Sequence, residues 1–266
     1  MELELKQNTY PSIAVSIKGD SMISRRIKFF FGHFAVSILI ALFVISMVFL
    51  VWYPFPLAKA VGVTHIFLML LAIDVILGPL LGLLVYKEGK KTLKFDLIVV
   101  ILIQLSALCY GIYSIAQGRP VWLAYNVDRI ELVRNNEIIQ DHLEQAQAQF
   151  QHPSWLKPLY VGIEFAKDPS QRSDDMFAEV LGGITISQKP ERYVEIEKVK
   201  SKIQQHAQDL ALLSQYNDKV LVKKILAQYP QANAFVPLKA NAVDMTVLVN
   251  RDTAEIIKIV DLRPWK

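Results

Sequence analysis

The sequence predicts a membrane protein with three transmembrane α-helices, followed by an α+β domain with an antiparallel sheet. Three apolar runs, at 29–52, 61–86 and 95–117, are each long enough to cross a bilayer, which takes about 20 residues. The chain is 53% hydrophobic, and this excess is concentrated in the three runs. Residues 118–266 have the composition and length of one globular domain.

The charge distribution argues against a nucleic-acid-binding protein. The formal net charge is +4, yet residues 118–266 hold 19 basic and 19 acidic side chains, so the whole excess lies in the first 117 residues. Positive charge confined to the flanks of apolar runs is typical of membrane topology signals, whereas nucleic-acid binders carry a basic surface.

The basic residues also predict the orientation of the chain. Two positive charges, Lys59 and Arg119, flank one side of the predicted spans. The other side has seven: Arg25, Arg26, Lys28, Lys87, Lys90, Lys91 and Lys94. The positive-inside rule then places the tail 1–28 and the lysine-rich loop in the cytoplasm and residues 118–266 outside it.

The N-terminal part is expected to be an uncleaved anchor behind a short tail. Met22 opens a run that resembles a natural start, so residues 1–21 are interpreted as an upstream extension of the coding sequence. The 24 residues of 29–52 are too long for a signal-peptide core, and no small-residue cleavage site follows them.

The second run carries the most unusual residues. Asp74 lies near its middle, and Gly78 and Gly82 share a helix face with it, while Pro79 removes one backbone hydrogen bond. A carboxylate at this depth should be protonated or hydrogen-bonded. Two hypotheses follow. In one, Asp74 binds the third span through Gln104, Ser106 or Tyr110; in the other, it receives a polar group of a foreign helix seated over Gly78 and Gly82.

The third run has a polar and aromatic stripe on one helix face. Its members are Ser106, Cys109, Tyr110, Tyr113, Ser114 and Gln117. Packing against the other two spans is the interpretation we favour, and a groove for a foreign helix is the alternative. Cys109 is the only cysteine, so the domain after the spans is expected to have no disulfide.

In residues 118–266 we predict an antiparallel sheet of roughly five strands with helices packed on it. Apolar alternation indicates strands at 121–125, 128–133, 159–165, 234–238, 245–249 and 256–260. Helices are expected at 140–151, at 174–181 with Ser173 as N-cap and Gly182–Gly183 as stop, and across 195–229 with a break near Asn217.

No catalytic or metal-binding motif is apparent, so we expect no enzyme activity and no cofactor. The five histidines are scattered, and no Gly-x-Ser-x-Gly motif is present. Asp96, the other acid within the spans, should differ from Asp74 in depth by roughly 15 Å. Two alternatives stay open: a small membrane sensor or transport subunit that uses Asp74, and a membrane-anchored enzyme with an unrecognised site.

Four segments together resemble the TfpX/TfpZ family of type IV pilin accessory proteins. They are IDVILGPLLGLLV in the second run, PVWLAYNVDRIELVRNNEI after the third, GGITISQKPERY at 182–193 and DMTVLVNRDTAEIIKIVDLRPW near the end. The terminal Asp-Leu-Arg-Pro-Trp is the most specific of them.

The resemblance implies an inner-membrane protein of a Gram-negative bacterium with a periplasmic C-terminal domain. Such a protein would be an accessory factor for a cognate major type IV pilin, supporting pilus assembly or its balance with retraction, and hence twitching motility. The implied partners are that pilin and other pilus-assembly proteins, through protein–protein interaction. The resemblance supplies no catalytic residue.

Overall fold

Three long apolar helices followed by a sheet-containing domain make up the computed structural model, which describes residues 19–266 and side-chain surroundings from Arg25 onward. The predicted upstream extension, residues 1–21 of the tail 1–28, therefore lies mostly outside the described residues. Helix α1 (Gly19–Met47) continues as a π-helical turn, Val48–Trp52. The short α2 (Leu57–Val61) follows, and then the long α3 (Val63–Val85) and α4 (Leu93–Gln117). Helix α3 packs against both α1 and α4.

The sheet has eight strands and is mixed, so the prediction of an antiparallel sheet is wrong. Its order is β4-β3-β1-β2-β6-β7-β8, and β5 pairs with β6. Strand β3 runs parallel to β1, and β6 runs parallel to β2. The strands are β1 (Pro120–Asn126), β2 (Arg129–Arg134), β3 (Leu159–Ile163), β4 (Tyr193–Glu195), β5 (Gln208–Asp209), β6 (Ala234–Lys239), β7 (Met245–Asn250) and β8 (Glu255–Val260).

The parallel pairing arises from a long connection that the strand pattern alone did not reveal. Arg134, the last residue of β2, lies opposite Pro120, and Leu159, the first residue of β3, lies beside Trp122. The connection therefore returns to the end of β1 at which β2 finished. A strand that starts there on the free edge of β1 must run in the same direction as β1.

The predicted strand pairs β1–β2 and β7–β8 are confirmed, and the helical segments are confirmed in part. Helix α5 (Pro169–Gly182) covers the predicted 174–181 but begins earlier, because the Asp168 side chain caps it by accepting the Ser170 N–H. The segment 195–229 breaks at Asn217 as predicted. Its helices are α6 (Lys200–His206), α7 (Leu213–Tyr216) and α8 (Lys219–Leu226).

A second break within that segment, at β5, was not predicted. Strand β2 pairs only with the last residues of β6, Leu238 and Lys239, which leaves the start of β6 with a free edge. Gln208 and Asp209 pair there with Phe235 and Ala234. Strand pairing at this edge therefore replaces helix at β5.

The helix predicted at 140–151 is absent, and 3-10 turns at Leu143–Gln145 and Ala148–Phe150 take its place. The Phe150 ring is buried and packs edge-on against Trp122 and Tyr193, with centroids 5.9 Å from each. Burial of this ring outweighs the helical propensity of the surrounding residues, which is a weak preference.

The segment between α1 and α3 joins the helices to the core of the sheet domain. Leu57 and Ala60 of α2 are buried in the same apolar cluster as Leu123 and Ile130. The Ala60 carbonyl accepts the N–H of Ala242 at 2.9 Å. Gly62 has φ +81°, and a Cβ there would lie 2.8 Å from that of Ala242, so glycine is required at this junction.

Candidate functional site

The three long helices meet at a polar cluster centred on Gln104 of α4. Its Oε1 lies 3.0 Å from His33 Nε2 of α1. Its Nε2 donates to Ser37 Oγ at 3.2 Å and to the backbone carbonyl of Asp74 at 3.1 Å. One amide thus links α1, α3 and α4, as polar side chains do where helices pack inside a bilayer.

The two glycines of α3 provide the space for this cluster. A Cβ on Gly78 would overlap the Gln104 amide, and one on Gly82 would lie 3.1 Å from the Phe29 ring. Gly78, Pro79 and Gly82 are all buried, Gly78 against α4 and Gly82 against α1. The chain's own helices thus occupy the face over Gly78 and Gly82, which argues against the hypothesis of a foreign helix seated there.

Asp74 contacts the third helix through its backbone rather than its carboxylate. Among the residues that the structure describes, no partner bonds its buried Oδ2, and neither Ser106 nor Tyr110 reaches it. The carboxylate lines a cavity of about 150 Å³ between the three helices, beside His33, Ser37 and Gln104. Of the three partners predicted for Asp74, Gln104 alone lies here.

Sequence reasoning missed His33 and Ser37. Both lie in the first apolar run at a spacing of four, which puts them on one face of α1. Two polar side chains at that spacing in an otherwise apolar helix could have revealed them. The face that they mark on α1 is the face that contacts Gln104.

The polar and aromatic stripe of α4 points away from the other helices. Helix α4 packs inward through residues such as Gly111, where a Cβ would lie 2.8 Å from Leu70, and through the buried Ala116. Ser106, Cys109, Tyr110, Tyr113 and Ser114 are exposed on the opposite side. The expectation that this stripe packs within the bundle is therefore wrong for these five residues, which form an outer face of α4. The sixth member, Gln117, is half-buried and accepts a hydrogen bond from the Asn135 amide at 2.8 Å.

The two ends of the helix bundle differ in chemistry. At one end Arg26 donates to the Leu83 carbonyl at 2.7 Å, Arg25 pairs with Glu88, and Lys90 pairs with Asp96 at 2.5 Å. The other end is aromatic. There the Trp52 indole donates to the Trp155 carbonyl at 2.9 Å, and the Tyr53 hydroxyl donates to the Ile115 carbonyl at 2.8 Å.

In the sheet domain, the most buried ion group holds helix α5 in place. Asp175 accepts hydrogen bonds from Lys189 at 2.6 Å and Arg192 at 2.7 Å, and all three side chains are largely buried. Burial alone would raise the pKa of the Asp175 carboxyl, but the bonds from Arg192 and Lys189 hold it below its usual value. Asp175 therefore stabilises the position of α5.

No group of three or more potential metal ligands occurs among the described residues.

Comparison with known proteins places the chain in a family. The fimbrial assembly protein of Dichelobacter nodosus serogroups C1 and C2 is 37% identical over 116 residues, which cover 88% of that protein and 43% of this chain. The chain belongs to the family of fimbrial assembly proteins. The family model for fimbrial assembly protein FimB matches residues 21–62, which include most of α1 and all of α2.

Longer relatives extend the similarity of this fimbrial assembly protein into the sheet domain. The proteins of Dichelobacter nodosus serogroups I and E1 are each 29% identical over 230 residues, covering 83% of this chain and 89% of each relative. No solved structure matches the chain. A role in fimbrial or pilus biogenesis is supported by these relatives, while the narrower TfpX/TfpZ assignment stays a prediction.

Proposed function

We propose that this protein is an inner-membrane accessory factor for a cognate major type IV pilin, and that it supports pilus assembly or its balance with retraction. Its activity is recognition rather than catalysis. The observation that carries the proposal is the outer face of α4: a fimbrial assembly protein presents polar and aromatic side chains on the outside of an apolar helix. Such side chains favour contact with protein over contact with lipid.

The proposed orientation has the N-terminus in the cytoplasm and the sheet domain in the periplasm. The basic end of the bundle, with Arg25, Arg26 and Lys90, would then face the cytoplasm. The aromatic end, with Trp52 and Tyr53, would lie at the periplasmic boundary, where such rings are enriched. The pilin, with a helix in this membrane and a head in the periplasm, could contact both the outer face of α4 and the sheet domain.

Deletion of the gene tests this function. We expect the deletion to lower surface pili and twitching motility while pilin synthesis continues, and re-expression of the gene to restore both. A relative from a strain with a different pilin should complement poorly. Full piliation in the deletion strain, with its own pilin, would remove the proposal.

A small transport or sensor subunit is the second candidate, and one observation favours it. The buried Oδ2 of Asp74 faces a cavity between three helices and has no hydrogen-bond partner among the described residues. Proton uptake by vesicles that contain the protein, abolished by Asp74→Asn, would support this function over the first.

A further inference from the structure

Three exposed apolar side chains lie at the aromatic end of the helix bundle. Phe55 follows the first long helix by three residues and is 72% exposed. Trp155 and Leu156 come a hundred residues later, in the loop before β3, and are 68% and 67% exposed. Residues so far apart in sequence share one location because the sheet domain folds back onto the helix ends.

The contacts of Trp155 show where this loop lies relative to the ends of the long helices. Its carbonyl accepts the indole N–H of Trp52, the last residue of the first long helix. Its ring lies under the guanidinium of Arg119, 4.5 Å from ring centre to Cζ, and Arg119 also donates to the Ala116 carbonyl of α4 at 2.7 Å. Trp155 therefore lies level with the ends of two long helices.

Phe55 belongs to the same surface. It lines a cavity together with Lys157 and Pro158, the residues that follow Leu156. Leu50, two residues before the end of the first helix, is exposed as well, so exposed apolar side chains of this helix continue up to Phe55. Lys157 adds a cation that suits a lipid phosphate.

The size and place of the patch identify its occupant. Three side chains expose at most a few hundred Å², well below the about 800 Å² per partner of a stable protein interface. Tryptophan is enriched at the boundary between headgroups and acyl chains, where its ring is buried and its polar edge stays near water. The patch is continuous with the surface that lipid surrounds, so lipid is the occupant that fits.

We propose that Phe55, Trp155 and Leu156 form a membrane foot, which inserts into the headgroup–acyl boundary of the leaflet at the aromatic end of the bundle. The proposal rests on the placement of the bundle in a membrane. The foot, the buried α2 and the link from α4 to β1 then hold the sheet domain against the bilayer at three places. The domain would keep one orientation toward partners in the same membrane.

Tryptophan fluorescence in lipid nanodiscs tests the foot. The full chain and its Trp155→Phe variant are placed in phosphatidylcholine with or without bromine at the upper acyl carbons, and the difference in emission gives the Trp155 signal. We expect bromine to quench this signal at least twofold and aqueous acrylamide to have little effect. A Leu156→Trp substitution on the Trp155→Phe background should be quenched in the same way.

Two controls on the Trp155→Phe background make the result decisive. Val127→Trp lies in the exposed turn between β1 and β2, about 20 Å away along the strands, and should respond to acrylamide but not to bromine. Leu102→Trp, on the exposed middle of α4, should be quenched by brominated lipid. Quenching at Leu102→Trp without quenching at Trp155 or Leu156→Trp would overturn the foot alone. Loss of quenching at Leu102→Trp would overturn the membrane placement on which the foot rests.

Discussion

At the scale of single residues, the contact between Gly78 and Gln104 decides how the three long helices pack. A methyl group at Gly78 would overlap the Gln104 amide, which would then have to move away from its partners His33, Ser37 and the Asp74 carbonyl. Overpacking of this kind costs about 1–3 kcal/mol. We therefore expect Gly78→Ala to lower the thermal midpoint of the purified protein in detergent and its abundance in the membrane.

Gly32 offers a matched control for this substitution. It lies in α1, and a Cβ there would meet nothing within 4 Å. Gly32→Ala should leave both midpoint and abundance unchanged or slightly raised, since alanine is the better helix former. Equal losses in the two variants would show that helix packing at Gly78 is not the cause.

Asp74 allows a second residue-scale prediction, which separates structure from function. Because Gln104 bonds its backbone carbonyl, both Asp74→Asn and Asp74→Leu retain the link between α3 and α4. We expect normal abundance of both variants on immunoblots of membrane fractions. A loss of piliation in both would then assign the carboxylate a functional role. Low abundance of Asp74→Leu with normal Asp74→Asn would instead show that the carboxylate stabilises the bundle.

At the scale of elements, helix α5 depends on the ion group of Asp175. The pKa of this carboxyl lies below the value in the unfolded chain, which is about 3.9. The interaction therefore stabilises the fold fully above that value, and the stabilisation is lost as pH falls through the folded-state pKa. The free energy of unfolding of the full chain, measured with urea in detergent from pH 7 to pH 3, should therefore begin to fall below a pH of about 3.9.

Asp175→Asn should remove this pH dependence. At pH 7 the variant leaves Lys189 and Arg192 buried without their anion, which costs roughly 3 kcal/mol. The exposed neighbour Asp174 gives the control, and Asp174→Asn should unfold like the unsubstituted protein at every pH. If the free energy of unfolding of Asp175→Asn changed with pH as it does in the unsubstituted protein, the role of Asp175 as the anion of this group would be contradicted.

The elements also show what the sequence could and could not predict. The β7–β8 hairpin follows from local apolar alternation and the three long helices from the length of the apolar runs, and both are present in the structure. The segment 140–151 does not, because burial of Phe150 against Trp122 and Tyr193 depends on residues distant in the chain. The direction of β3 depends likewise on the path of the connection before it.

The candidate site was predicted less completely than the fold. Asp74, Gly78 and Gln104 do lie together. Asp74 and Gly78 are four residues apart, which puts them on one face of α3, and Gln104 of α4 contacts that face. The stripe on α4 was assigned to the wrong side, because periodicity identifies a face but not its neighbour. Tyr110 and Gln104 occupy different faces of α4, and only packing shows which one meets α3.

At the scale of the whole molecule, the orientation across the membrane is the first prediction. Seven basic residues on one side of the spans and two on the other predict that the N-terminus lies in the cytoplasm. Alkaline phosphatase fused after Gly118 or Lys266 should be active, and a fusion after Lys91 should be inactive. Activity at Lys91 would reverse the assignment of both ends of the bundle.

If the protein recognises the pilin within the membrane, the outer face of α4 is the surface that should contact it. Tyr110 and Phe43 make a matched pair for testing it, since they are aromatic, are 72% and 71% exposed, and lie on different helices. Tyr110 precedes the end of α4 by seven residues and Phe43 precedes Trp52 by nine. Both lie about 10–14 Å below the helix ends at 1.5 Å per residue.

Photo-crosslinking from these two positions in piliated cells is the most direct measurement. Benzoylphenylalanine replaces Tyr110 or Phe43, the cells are irradiated, and adducts are detected with an antibody to the pilin. We expect a pilin adduct from Tyr110 and none from Phe43. A stable, inserted protein that gives no pilin adduct from Tyr110, or equal adducts from both positions, would contradict it.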